Sequence, residues 1–260
     1  MAYERCGVGE PLVLLHPLGA DRTVWRPVLP YLRAARDVIA LDLPGFGGSP
    51  PLAESRPPTP ARLAIAVVRL LGRLGIDAGA AHLAGNSLGG WVALEAAAAG
   101  HAASVTAIAP AGLWPRALGP KPQLARPLAR ASLPVVAPLM RVPALRRLAL
   151  AGTMAHPSRV PPAQAAGLIR SYASAPGFGA VNRAMRAGRF QRLAEIGVPV
   201  TLVWPERDRL IARPASLPPN VCERVLAGCG HVPMWDDPEA VAEVLLAGSA
   251  GVVTRPSRER

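Results

Sequence analysis

Gly85-Asn86-Ser87-Leu88-Gly89 sits between an apolar run, residues 81–85, and a helical period, residues 87–99. Glycines two positions before and two after the serine let the chain turn sharply enough to hold a hydroxyl out on a strained strand-to-helix turn. The helix that follows aims the positive end of its dipole at negative charge forming there. The competing reading is a glycine-rich turn with a bystander serine, and the strand before and helix after weigh against it.

Outward from the serine, short apolar runs bounded by Gly or Pro alternate with helical periods. Residues 12–16, 38–42, 81–85, 105–109, 200–204 and 221–226 read as strands. That alternation predicts an α/β chain with a mostly parallel sheet flanked by crossover helices. Thr59-Pro60 reads as a cap with proline in the first turn. Leu63, Val67, Leu70, Leu71 and Leu74 follow at helical spacing, and Gly75 closes the helix. Asp237-Pro238 predicts a last helix running to about residue 246. From residue 113 to 190 the alternation stops. Eleven prolines, from Pro115 to Pro176, cut this stretch into short amphipathic pieces, among them residues 139–150 and 162–173. The reading is a core of residues 1–112 and 191–248, a helical insertion of residues 113–190, and an aperiodic tail, residues 249–260, expected to be disordered.

The 260 residues suffice for one substantial core, and with half of them hydrophobic, wholesale disorder is excluded. The formal net charge is +12. Residues 96–191 hold eleven Arg and Lys121 with no Asp or Glu, so that stretch carries the whole excess. It contains few aromatics (Trp114, Tyr172, Phe178, Phe190) and no nucleic-acid reader motif, so no nucleic acid partner is expected. Contact of its amphipathic pieces with a membrane surface, and selection of an anionic or amphiphilic substrate, both stay open. Arg outnumbers Lys 28 to 1, in keeping with the codon bias of a GC-rich genome. Three Cys with no CxxC pair point to a reducing compartment. No apolar run is long enough for a signal peptide or a membrane span, so a soluble, cytoplasmic protein is expected. No HExxH, no clustered His or Cys and no glycine fingerprint after the first strand are present, so neither metal nor cofactor is expected.

A serine hydroxyl needs a base, and the base needs a carboxylate to orient it. On a strand–serine–helix turn the chain order is serine, acid, histidine. Three histidines follow Ser87. His101 falls in a helix-to-strand turn and His156 in the insertion, which leaves His231, just past the last strand. The only aspartate between Ser87 and His231 is Asp208, just past the strand before it. Both lie at strand C-terminal ends, where side chains from different strands converge. A solvated Asp208 beside Arg207 and Arg209, and a structural His231, are the competing readings. Asp236 and Asp237 read as a helix cap rather than as catalytic acids.

On these motifs the sequence, from Tyr3 to about Leu246, resembles the serine-nucleophile branch of the α/β-hydrolase superfamily. The resemblance implies the α/β-hydrolase fold, with the insertion as a cap over the active site. His16-Pro17-Leu18-Gly19 is similar to the family's histidine-glycine motif and implies an oxyanion hole made by the backbone N–H groups of Leu18 and Leu88. Trp25 and residues 42–47 also match. His16, Asn86, Trp114 and Met234 fall where the family places pocket walls, with core packing an equal reading of Trp114 and Met234. Three departures stand out. The chain begins at what looks like the second strand, so the usual first edge strand is missing or remade. Twenty-two residues between Asp208 and His231 imply a shortened helix. Pro205 stands where glycine is usual.

A serine at the elbow excludes chemistry that needs a carboxylate nucleophile. The resemblance therefore implies a cofactor-independent serine hydrolase of a carboxylic ester, lactone or thioester, acting on a small-molecule acyl substrate. The same triad also serves carbon–carbon bond hydrolases, perhydrolase-like haloperoxidases and acyltransferases. A non-catalytic binding protein on the same fold is the third alternative. Related carbon–carbon hydrolases grip an acidic substrate tail with a cap arginine. Arg170, Arg183 and Arg186 are eligible, and a solvated helix face competes for each.

Overall fold

The computed structural model describes residues 1–53, 56–77, 79–119 and 125–250. Seven strands make one sheet: β1 (Tyr3–Gly7), β2 (Glu10–Leu15), β3 (Arg36–Leu41), β4 (His82–Asn86), β5 (Ser104–Ile108), β6 (Val200–Pro205) and β7 (Val221–Leu226). Their spatial order is β1-β3-β2-β4-β5-β6-β7. All neighbours are parallel except β1, which runs antiparallel to β3 with Tyr3 opposite Leu41. This is the α/β-hydrolase arrangement expected. The central strands are covered on both faces, which is why they read as continuous apolar runs. Along β2, Val13 and Leu15 join the core on one side of the sheet while Leu12 and Leu14 join the core on the other.

β1 lies outside the six runs read from sequence, and it is the sheet's antiparallel edge. Its residues alternate between exposed and half-buried, so it lacks the apolar signature of an interior strand. Charge marks it as an edge: Arg5 pairs with Asp37 at 2.6 Å, and Glu4 takes Arg22 and Arg26. Among the described residues no strand lies beyond it.

A 3-10 turn (Arg22–Trp25) and the short α1 (Leu29–Leu32) lead into β3. α2 (Pro60–Arg73) begins as its cap predicts, with the Thr59 hydroxyl accepting from Arg62 N–H, and buries Leu63, Val67, Leu70 and Leu71. α3 (Leu88–Ala98) follows the serine and is almost wholly buried. Between β5 and β6 the described residues form five α-helices: α4 (Ala125–Ser132), α5 (Val136–Arg141), α6 (Pro143–Leu150), α7 (Pro162–Ser174) and α8 (Phe178–Ala187). The piece expected over residues 139–150 is two helices. Val142 leaves the helical region (φ −78°, ψ 114°) because the ring of Pro143 crowds the residue before it.

The loop from residue 206 to 220 carries no helix, so the shortened helix expected before His231 is absent altogether. α9 (Pro238–Ser249) is capped by Asp237, which accepts from Ala240 N–H at 3.0 Å. α9 runs through Ser249, expected in the tail. Ser249 is buried, and its hydroxyl and carbonyl both accept from Arg36 at 3.1 Å. Residues 251–260 of that tail lie outside the described residues. No helix among the described residues is long and apolar enough to cross a membrane.

Candidate active site

Ser87 stands between β4 and α3 with φ 54° and ψ −113°, one of two non-glycine residues at positive φ among those described. Such a backbone costs of order 1–3 kcal/mol and persists only where its surroundings over-determine it. Here the end of β5 does so: Ser87 N–H donates to Ile108 O at 2.9 Å, and Ser87 O accepts from Ala111 N–H at 3.0 Å. The flanking glycines are required by contact. A Cβ on Gly85 would lie 2.2 Å from the Gly89 carbonyl carbon, and one on Gly89 would lie 2.1 Å from Leu15 O. The N-terminus of α3 thus rests on the backbone where β2 ends.

That contact sets the start of α3 against the end of β2, the strand that leads into the Leu18 loop. Leu15 pairs with Gly85 across β2 and β4, so Leu18 and Leu88 each stand three residues past the paired strand ends. Leu88 opens α3, and a first-turn N–H has no intrahelical acceptor. His16, expected at the pocket wall, is instead a fully buried brace for this loop. Its Nδ1–H donates to Pro17 O at 2.8 Å, and its Nε2 accepts from Leu43 N–H at 3.0 Å. Burial pushes its imidazole below the usual range, against the upward pull of Pro17 O, Asp42 and Asp21, and this tautomer requires the neutral ring.

Asp208 and His231 come from the loops after β6 and β7, neighbouring strands paired as far as Pro205 and Leu226. Pro205 fits the turn, because its carbonyl accepts from Asp208 N–H at 3.1 Å. The Asp208 carboxylate accepts from His231 Nδ1 at 2.7 Å and from the amides of Leu210 and Ile211 at 2.7 and 3.1 Å. Burial pushes this carboxyl up. The His231 hydrogen bond and charge, with the two amides, outweigh it and hold Asp208 below the ordinary carboxylate range. An ionised Asp208 accepts the hydrogen bond from Nδ1–H, which leaves Nε2 as the ring's acceptor.

The other residues singled out fall into three roles. Asn86 is wholly buried and donates from Nδ2 to His231 O at 3.0 Å and to Ile108 O at 3.1 Å. Trp114 is half-buried, packs edge-on against Trp91 with ring centres 5.7 Å apart, and donates to Gly188 O at 3.0 Å. Met234 has no exposed surface and lies in the core with Trp25, Val241 and Leu245, the packing alternative rather than a cavity wall. Arg186 spends its guanidinium on the carbonyls of Gly119 and Leu118, whereas Arg170 and Arg183 are exposed. Burial, with Asp236 and Asp237 adding to it, pushes the Cys229 thiol up to about 12, so this neighbour of the histidine loop is inert as a nucleophile. Among the described residues no group of three or more His, Cys, Asp or Glu could hold a metal.

Two residues at the site escaped the sequence reading. Asp237 caps α9, but Asp236 does not share that work. Its fully buried carboxylate accepts from Gly230 N–H at 2.8 Å, Ala155 N–H at 2.9 Å and His156 N–H at 2.6 Å. With Val232 N–H donating to Thr153 O at 2.8 Å, the histidine loop is bonded directly to residues 153–156. A Cβ on Gly230 would meet Ala155 N at 2.7 Å, so the approach needs glycine. Asp21 caps the 3-10 turn after the Leu18 loop and also accepts from the Ser171 hydroxyl of α7 at 2.5 Å. The signal for Asp236 was an acidic residue left over beside one that already satisfied the helix cap. A cavity of about 210 Å³ opens beside His231, walled by residues 151–155, Pro157, Arg207, Arg209 and Gly230.

Residues 12–244 match the model of the Alpha/beta hydrolase family. The chain is 36% identical over 197 residues to the epoxide hydrolase EphH of Mycobacterium tuberculosis, covering 70% of this chain and 91% of that one. Several other curated relatives align only in part, with the chain spanning 61% or less of their length. Among solved structures, a thermophilic esterase from Thermogutta terrifontis superposes with TM-score 0.70 at 25% identity, over 95% of this chain and 91% of that one. The enol-lactonase of Burkholderia xenovorans LB400 shares the fold, with TM-score 0.71 at 21% identity over 95% of both chains.

Proposed function

From the premise that the chain belongs to the alpha/beta hydrolase family, we propose that it cleaves a carboxylic ester, lactone or thioester through an acyl-enzyme on Ser87. Ser87 Oγ attacks the carbonyl carbon while His231 Nε2 takes its proton. Negative charge on the carbonyl oxygen is met by the N–H groups of Leu18 and Leu88. The tetrahedral adduct collapses, the carbon–leaving-group bond breaks, and His231 returns the proton to the leaving oxygen or sulfur. Water, deprotonated by His231, then attacks the acyl-serine and releases the acid and free Ser87. Asp208 stays ionised throughout and stabilises the imidazolium.

The observation that carries this reading is the strained Ser87 backbone at the head of α3, held there by β5. The resemblance to an epoxide hydrolase does not displace it, for a chemical reason. Opening an epoxide with a serine oxygen leaves an alkyl ether, which has no carbonyl for water to attack. A carboxylate nucleophile leaves an ester that water can cleave. Serine at this position supports acyl transfer and disfavours epoxide turnover.

The test is hydrolysis of a panel of activated esters, lactones and a simple epoxide by the wild-type chain and Ser87→Ala, together with fluorophosphonate labelling. Ester or lactone turnover that falls on the order of a millionfold in Ser87→Ala, with labelling abolished, is expected. Ester turnover that survives Ser87→Ala refutes the assignment, and failure of the wild type to label supports a binding protein instead.

A further inference from the structure

We propose that the outer surface of α4, α5 and α6 docks on an anionic lipid bilayer. Exposed apolar side chains are concentrated there: Leu128, Val135, Val142, Leu145 and Leu148, with Leu128 72% and Leu148 77% exposed. α4 buries none of its residues. α6 buries Arg146, whose guanidinium donates to Met140 O at 2.7 Å, together with Leu150, yet turns Leu145 and Leu148 outward. α4 and α5 pack on α7, and α6 packs on α5 and α7, so the three form one layer on α7, with Leu128, Leu145 and Leu148 exposed among the described residues.

Charge identifies the occupant. Arg130, Arg141 and Arg147 are exposed on the same three helices, their side chains have no hydrogen-bond or ion-pair partner among the described residues, and residues 96–191 contain no carboxylate. A second copy docked through this face would set guanidinium against guanidinium. A polyphosphate chain would satisfy the arginines and leave Leu128 and Leu148 in water. Leucine and valine interspersed with arginine suit a bilayer interface, where the apolar side chains enter the acyl boundary and the guanidinium groups meet headgroup phosphates. α6 leads straight into residues 151–155, part of the wall of the cavity beside His231.

The test is co-sedimentation of the whole chain with phosphatidylcholine vesicles and with the same vesicles containing phosphatidylglycerol. Binding to the anionic vesicles alone, weakened by salt, is expected. An arginine near such a surface is worth roughly fivefold, so combining Arg130→Gln, Arg141→Gln and Arg147→Gln should cost on the order of a hundredfold. Leu128→Ser with Leu148→Ser should cost at least about tenfold. Leu128→Ala with Leu148→Ala, which keeps helix propensity, should also weaken binding. Ser87→Ala should bind as wild type does, which separates docking from the proposed chemistry. No binding to anionic vesicles overturns the proposal. So does binding that the leucine variants leave unchanged, which indicates a polyanion, or a dimer in solution that the leucine variants convert to monomer.

Discussion

The Asn86 side-chain amide donates to the main-chain oxygen of His231 at 3.0 Å, joining the residue before the elbow serine to a loop 145 positions along the chain. The same nitrogen reaches Ile108 O at 3.1 Å, so one buried amide ties together the ends of β4 and β5 and the histidine loop. Ser87 and His231 are carried by different strands, and this amide sets the distance between their backbones.

Asn86→Ala leaves the buried His231 carbonyl without its donor, at about 1–3 kcal/mol, and takes from Ile108 O one of its two donors, Ser87 N–H being the other. Urea unfolding should show a loss of roughly 2 kcal/mol, and kcat for an ester substrate should fall on the order of tenfold with KM held. An unchanged kcat would contradict the positioning role.

Asp236→Asn keeps the shape of the clamp but turns one acceptor oxygen into a donor facing an N–H. With three charge-assisted bonds affected, stability should fall by about 3 kcal/mol. Hydrogen exchange should rise together at Gly230, Ala155 and His156, because one carboxylate holds all three amides. Faster exchange at only one of them would show that the two segments are held by other contacts.

Gly89→Ala places a methyl 2.1 Å from Leu15 O, a backbone atom that a rotamer change cannot move. A loss of about 3 kcal/mol or more in thermal or denaturant unfolding is expected. Gly72→Ala is the control, since nothing lies within 4 Å of a Cβ there. It is exposed in the last turn of α2 and should gain a few tenths of a kcal/mol, up to about 1 kcal/mol, from helix propensity.

His16 gives the fold a pH dependence of defined sign. Burial pushes its imidazole down, so the unfolded ring binds a proton near pH 6.5 that the folded ring refuses. The stability contributed by neutral His16 is complete above that pH and is lost as the pH falls below it, by up to about 1.4 kcal/mol per unit. Unfolding free energies measured from pH 7 to 5 should fall more steeply for wild type than for His16→Gln. Equal slopes would show that another group carries the dependence.

Much of the fold was legible because its signals are local. Thr59-Pro60 caps α2, and Asp237-Pro238 caps α9, through bonds spanning three residues. The central strands are apolar because both of their faces are covered. β1 escaped because an edge strand with one partner and an exposed face needs no apolar run, and Tyr3-Glu4-Arg5-Cys6-Gly7 has two charged residues at its centre. The helix expected before His231 was inferred from resemblance, and the 206–220 loop, pinned by turn and carboxylate bonds around Asp208, has none.

By itself the sequence determined the turn at Ser87 and the sites of the helix caps, since sterics and hydrogen bonds within a few residues decide those features. The tertiary structure decided what His16, Asn86, Met234 and Asp236 do. Whether a buried polar group faces a cavity or a distant backbone amide depends on how the sheet strands align, and contacts such as Asn86 to His231 or Asp236 to Ala155 exist only after the chain has closed on itself.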